Sequence, residues 1–241
     1  MSKKQNKKQD NEITIDNIDF LLKKSELELH HNTIKHSAQD VEFKKIELEI
    51  AKSDVEIPHK EFIIDTLMTW GFDINTRTIL IQDEEDGEVN SEMAYKFNHA
   101  MTALESISNE PIKIYLNTIG GSCRYGFSMI DRILNSSCKT HIHASGSIMS
   151  MGVYILAAGT TRSASFMTDF MHHIISNTPE GKLTDIEAQL EADKKFHKRM
   201  CKYLATRTNK DYDFWYTEGK HVDKFFDADQ AKEYGLIDEV L

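Results

Sequence analysis

The run His141-Ile142-His143-Ala144-Ser145-Gly146-Ser147-Ile148-Met149-Ser150-Met151-Gly152 decides how this chain is read. Its first four residues read as a strand, and its end reads as the mouth of a helix, with Ser150 between them and glycines on either side. Upstream, Ile112-Lys113-Ile114-Tyr115-Leu116 is a second strand, followed by the turn Asn117-Thr118-Ile119-Gly120-Gly121. Downstream come the pair His172-His173 and the carboxylate Asp223.

Working outward, the α/β pattern begins near residue 62. Thr78-Ile79-Leu80-Ile81-Gln82 reads as a buried strand and is followed by the acidic turn Asp83-Glu84-Glu85-Asp86-Gly87. A helix starts at Asn90 or Ser91, either a good cap, with Met93, Phe97, Met101 and Leu104 on one face. After Gly120-Gly121 a second helix turns Phe127, Ile130, Ile133 and Leu134 inward. Strand, helix, strand, helix, strand, helix in succession implies parallel strands joined by right-handed crossovers. Phe170 to Ile175 reads as a further strand. Gly181-Lys182-Leu183-Thr184 opens a long helix, in which Thr184 and Glu187 match a capping box and Ile186, Leu190, Phe196, Met200 and Leu204 recur at helical spacing. A short last helix has Asp227 as cap, Ala231 inside and Gly235 as stop.

The 241 residues suit one large domain with an appendage, and glycine marks the division, since none precedes Gly71. Residues 1–60 form a charged N-terminal extension. Val41, Phe43, Ile46, Leu48 and Ile50 nearly alternate there, as in a strand, while Phe43, Ile46 and Ile50 would also line up on a helix; a hairpin, a helix and partial disorder all stay open. Residues 61–241 form the α/β domain. A formal net charge of -10 argues against a nucleic-acid binder. No apolar run approaches the roughly 20 residues that span a bilayer. The basic start has no apolar segment behind it, unlike a secretory signal, and three cysteines (Cys123, Cys138, Cys201) without metal-like spacing suit reduced thiols in the cytoplasm.

Ser150 is the candidate nucleophile, because free N–H groups and a partial positive charge at a helix N-terminus favour the oxyanion that its attack creates. The Met151 N–H is one oxyanion donor, and Gly121, whose backbone can approach a substrate closely, offers the other. A serine at a helix mouth is also an ordinary cap. His172 and His173 face opposite sides of a strand, so at most one enters a given site. Asp223 sits among other acids, any of which could be a solvated charge. G-x-S-x-G, H-E-x-x-H, paired C-x-x-C, Walker A and G-x-G-x-x-G motifs are missing, and Ser136-Ser137-Cys138-Lys139 matches S-x-x-K without its companion motifs. His141 and His143 share a strand face, where packing accounts for them better than a metal.

From about residue 62 to 241 these blocks resemble, in order, the proteolytic subunit of the Clp protease, a serine peptidase of the crotonase-like α/β superfamily. Ile114 to Gly121 resembles its strand and oxyanion glycine pair; Gly146 to Gly152 its nucleophile segment; Ala157-Ala158-Gly159 the continuation; Met171-His172-His173 its Met-x-His, which selects His173. Thr184-Asp185-Ile186-Glu187 resembles the start of the handle helix between stacked rings. Glu233-Tyr234-Gly235-Leu236-Ile237-Asp238 resembles the C-terminal signature, and counting back from it places the triad aspartate at Asp223. The resemblance implies repeated β-β-α units in a spiral with a protruding handle helix. It also implies Ser150, His173 and Asp223 as the triad, Gly121 and Met151 N–H groups as the oxyanion hole, and no cofactor or metal. Polypeptide substrates, a homo-oligomeric double heptameric ring (a tetradecamer) and a separate AAA+ ATPase unfoldase follow from the same resemblance.

Four departures mark this chain. Ile119 replaces a proline, Ile148-Met149 replace small residues, Ile174-Ile175 stand in place of Gln-Pro, and the serine-to-histidine connection is slightly short. They point to Ile119, Ile148 and Met149 as the lining that sets substrate choice. Alternative readings are a non-catalytic or specialised ring subunit, for example one processing a viral capsid precursor, and a crotonase-fold acyl-CoA enzyme.

Overall fold

Ile79, Ile114 and Ile142 stand side by side on three parallel strands, each at most 1% exposed, and this apolar row is the middle of the sheet. The computed structural model describes residues 69–82, 87–220 and 222–241; the readings of residues 1–60 and of the acidic turn 83–86 lie outside the described residues. The unit Trp70–Leu241 has strands β1 (Phe72–Asp73), β2 (Thr78–Ile81), β3 (Glu88–Val89), β4 (Ile112–Thr118), β5 (Gly120–Gly121) and β6 (Thr140–Met149). They are followed by β7 (Thr161–Ala164), β8 (Asp169–His172), β9 (Lys224–Phe226) and β10 (Glu239–Val240). The helices are α1 (Ser91–Ile107), α2 (Cys123–Leu134), α3 (Met151–Ala157), α4 (Leu183–Arg207), α5 (Tyr212–Thr217) and α6 (Ala228–Glu233).

The main sheet runs β1-β2-β4-β6-β7-β10, with β8 branching from β6 and β9 pairing with β8; β3 and β5 form a separate parallel pair. Strands β2, β4, β6 and β7 are mutually parallel, as the alternation of strands and helices predicts. Among the described residues, burial alternates along these strands as on a sheet covered on one face. Ile79 and Ile81 are therefore buried while Leu80 between them is 43% exposed, so β2 is a half-buried strand rather than the fully buried one expected from its apolar run.

Local chemistry sets the helix ends. Asn90 caps α1, its side chain accepting the Met93 N–H at 2.9 Å, and Met93, Phe97, Met101 and Leu104 are buried as expected. On α2 the buried face is Gly126, Met129, Ile130 and Ile133, not the expected set with Phe127 and Leu134. The face is rotated because Gly126 lies against the Met151 side chain, letting α2 approach α3 closely. Phe127 packs instead edge-on against Phe196 of α4.

The predicted capping box at Thr184 and Glu187 does not form. Leu183 is already the first helical residue and Lys182 the cap, without a side-chain bond, which puts Thr184 one position too far inside. Burial on α4 begins only at His197; Leu183 and Leu190 are 72% and 45% exposed, so the first half of this helix projects from the core as a handle would. The box at α6 does form, between Asp227 and Gln230, and Gly235 at φ +70° ends that segment.

The long strand β6 positions the site. Its first half, His141–Ala144, pairs with Thr161–Ala164 of β7. Past Gly146, at φ +66°, its second half changes partner, and Ser147–Met149 pair with Asp169–Met171 of β8. That switch carries the end of β6 to the end of β8.

Candidate active site

Ser150 occupies the single residue between β6 and α3, at φ +51° and ψ -117°. Among the described residues, Arg77 is the only other non-glycine residue at positive φ. Such a conformation costs about 1–3 kcal/mol and persists only where its surroundings impose it. Here they do so from both sides: the Ser150 N–H donates to Met171 O at 2.8 Å, and the Val153 N–H returns to Ser150 O at 3.2 Å. Gly120, at φ +95°, lies so close that a Cβ there would be 2.6 Å from the Ser150 Cβ. Gly120 is thus required by the turn that presents the serine.

His173 follows the last residue of β8, half-buried, and its Nε2 lies 2.7 Å from Ser150 Oγ. His172, its neighbour, points to the other side and is fully buried. The alternation of side chains along a strand thus puts the two histidines on opposite sides. Burial pushes the His172 pKa down to about 4 and keeps that ring neutral.

The residues expected to supply the two oxyanion donors, Gly121 and Met151, both border the serine's cleft. Met151 is the first residue of α3, where no carbonyl of its own helix reaches its N–H. On β5 the Ser122 N–H donates to Val89 O at 2.8 Å; successive strand N–H groups alternate in direction, which turns the Gly121 N–H away from β3. Gly121 itself is at φ +137°, and a Cβ on it would be 2.6 Å from Glu88 Cγ. Ser150, His173, Gly121 and Met151 all line one cleft of about 400 Å³.

Asp223 is not yet part of this group. The antiparallel ladder of β8 and β9 ends at His172 opposite Lys224, so one further rung would set His173 against Asp223. Asp223 lies just outside the ladder and is exposed, and no hydrogen bond joins it to His173. Its neighbour Lys224 is ion-paired to Glu218 at 3.0 Å.

The rest of the cleft differs from the expected lining. Ile148 is fully buried beneath the turn and Ile119 is 49% exposed on the far side of the glycine pair; neither they nor Met149 line the cleft. Of the departing residues only Ile175 does. Glu88, Ser122, Cys123, Tyr154, Ser176 and Met200 complete the wall and were missed. Two had a signal in the sequence: Cys123 begins the helix after Gly120-Gly121, and Tyr154 sits one helical turn after Ser150. Met200, from a helix 50 residues later, had none.

His141 and His143 bond across the sheet to Thr161 and to Ser163 and Ser165, a packing role. Among the described residues, no group of three or more His, Cys, Asp or Glu side chains is placed to hold a metal ion, and no helix is long and apolar enough to cross a membrane.

A family model described as Clp protease matches residues 71–241. The ATP-dependent Clp protease proteolytic subunit 2 of Corynebacterium efficiens is 29% identical over 170 residues, covering 70% of this chain and 83% of that protein. Subunit 3 from Rhizobium etli is 29% identical over 166 residues, 64% of this chain and 80% of that one. The proteolytic subunit of Bdellovibrio bacteriovorus is 32% identical over 159 residues, 64% of this chain and 74% of that protein.

Proposed function

The chain belongs to the Clp protease family, a family of serine endopeptidases, and from that premise we propose that it cleaves polypeptides with Ser150 as nucleophile and His173 as general base. The observation that carries the reading is the 2.7 Å approach of Ser150 Oγ to His173 Nε2 across a strained turn at a helix N-terminus. Nε2 accepts the hydroxyl proton as Oγ attacks the scissile carbonyl, and returns it to the leaving amine. The developing oxyanion is held by the N–H groups of Gly121 and Met151, each pre-aimed by a glycine turn or a helix start.

When Nε2 is to accept, the proton of the neutral ring sits on Nδ1, which needs an acceptor. Asp223 is that acceptor in this proposal. One more rung of the β8–β9 ladder brings it opposite His173, so a short extension of existing pairing completes the triad. The described geometry is then a resting arrangement whose base is aligned and whose orienting carboxylate is still outside.

The words "ATP-dependent" and "subunit" in the relatives' names support an assembly that works with an ATPase, and we take its form to be a double heptameric ring enclosing the cleft, fed by a separate AAA+ ATPase and acting in the cytoplasm. The projecting half of α4, with Leu183 and Leu190 exposed, suits a contact between rings.

The test is labelling with a serine-reactive fluorophosphonate together with cleavage of an unfolded protein. Wild type should be modified at Ser150 and should cleave, and Ser150→Ala should do neither. Modification of a different serine, or cleavage surviving in Ser150→Ala, would sink the assignment. Cleavage that requires a paralogous subunit would make this chain a structural member of a mixed ring.

A further inference from the structure

Behind the serine and its base runs a second line of hydrogen bonds that the proposed reaction does not use. It begins at Tyr154 on α3, one turn after Ser150. The Tyr154 hydroxyl lies 3.4 Å from His172 Nδ1, and His172 Nε2 lies 2.9 Å from the backbone carbonyl of Trp215. A carbonyl can only accept, so Nε2 carries the ring proton, and Nδ1 is left to accept from the tyrosine. Both directions are therefore set by one backbone atom. Trp215 O belongs to the six-residue helix α5, near whose end carbonyls have no donor in the helix, and His172 supplies one. The Cys201 thiol donates to the same carbonyl at 3.5 Å. Tyr154, His172 and Trp215 are each at most 2% exposed, so no water competes for these bonds.

Two members of the line belong to segments that bear a proposed catalytic residue, and the third belongs to the helix that leads to one. Tyr154 is on the helix that Ser150 opens. His172 directly precedes His173. Trp215 precedes the turn at Gly219, whose carbonyl accepts the Ile174 N–H at 3.2 Å and from which the chain runs on to Asp223. Gly219 is held so tightly that a Cβ there would sit 2.6 Å from His172 O. Apolar packing holds segments together without fixing how far they slide, whereas hydrogen bonds are directional and fix the register.

We propose that His172, through its bonds to Tyr154 and the Trp215 carbonyl, is a positioning residue that keeps Ser150 and His173 in working register and anchors the helix from which the chain runs on to Asp223. The proposal rests on the reading of Ser150 and His173 as nucleophile and base. Burial keeps His172 neutral down to acid pH, which preserves the acceptor at Nδ1. Tyr203 reinforces the same helix, its hydroxyl donating to Tyr154 O at 3.3 Å.

Three variants separate positioning from simple space-filling. His172→Phe keeps a ring and loses both bonds, His172→Gln keeps one donor and one acceptor, and Tyr154→Phe loses only the hydroxyl. On a fluorogenic peptide His172→Phe should lower kcat by about 10- to 100-fold with KM within about twofold, and slow fluorophosphonate labelling of Ser150 in parallel. His172→Gln should recover most of that loss. Tyr154→Phe added to His172→Phe should cost nothing further, because the two act as one unit. A folded His172→Phe with wild-type kcat, or a folded His172→Gln as slow as His172→Phe, would overturn the proposal. If His172→Phe fails to fold, Tyr154→Phe decides: a several-fold drop in kcat supports positioning, and an unchanged kcat refutes it. If wild type itself is not labelled, the reading of Ser150 and His173 has failed instead. Crystal structures then judge the geometry alone, with an unchanged distance from Ser150 Oγ to His173 Nε2 in His172→Phe counting against positioning.

Discussion

The two sides of the strand that ends at His172 treat neighbouring histidines in opposite ways. His172 is sealed between Tyr154 and Trp215, with its pKa pushed down to about 4 by burial. His173, one residue on, stands half-buried in a cleft against Ser150. Residue type and sequence position are almost the same; the side of the sheet is not. A histidine's part is thus set by what lies across from it. On the buried side a neutral ring is bonded at both nitrogens, and on the cleft side the ring meets a serine hydroxyl.

The largest effect should come from the cleft side. His173→Ala is expected to lower peptide cleavage by about 10⁴-fold or more, with the melting temperature little changed, measured by single-turnover kinetics and calorimetry. A loss under tenfold would erase the difference between the two histidines.

Next comes Asp223→Asn, with about 10²- to 10⁴-fold lower kcat expected although the carboxylate is exposed and not bonded to His173. Wild-type kcat in this variant would mean that His173 is oriented by something other than the rung beyond Lys224.

The buried side should show itself in stability. The folded pKa of His172, about 4, is below the ordinary value of 6.5, so the unfolded chain binds more protons between those two pH values. Stability contributed by the neutral ring is complete above pH 6.5 and should fall by roughly 3 kcal/mol as pH drops to 4. Burial lowers the pKa of His197 as well, and it acts in the same direction. Urea unfolding at pH 7 and pH 4.5 measures the slope, and His172→Phe should flatten it. An unchanged slope in that variant would remove His172 as its source.

The smallest effects lie away from both histidines and calibrate the rest. Asp227→Ala breaks a formed capping box and should cost about 1 kcal/mol in urea unfolding. Thr184→Ala, where the predicted box is not made, should stay within about 0.5 kcal/mol. A larger cost at Thr184 would show that the exposed start of α4 is capped in the assembled protein.

Much of the fold was legible because periodicity is local. The strands at Ile79, Ile114 and Ile142, the cap at Asn90 and the box at Asp227 follow from residues within a turn or a strand of each other. Faces were less legible. Phe127 and Leu134 fit the helical spacing of α2, but Gly126 against Met151 rotated the buried side. Leu80 is apolar yet faces out, because whether a sheet is covered on one side or two depends on helices elsewhere in the chain.

The candidate site divides in the same way. By itself the sequence determined that Ser150 opens a helix beside a glycine pair, that His172 and His173 must face apart, and that the chain follows the order of the Clp protease family. Those are matters of local geometry and of motif order. Only the tertiary structure decided that β6 changes partner at Gly146 and so brings Ser150 to within 2.7 Å of His173. It alone replaced Ile119, Ile148 and Met149 with Cys123, Tyr154 and Met200 as the cleft wall, and left Asp223 one rung short. The reason is physical: a side chain's neighbours across a sheet or between helices are set by which segments pack together, and the spacing of residues along one segment carries no record of its partner's register.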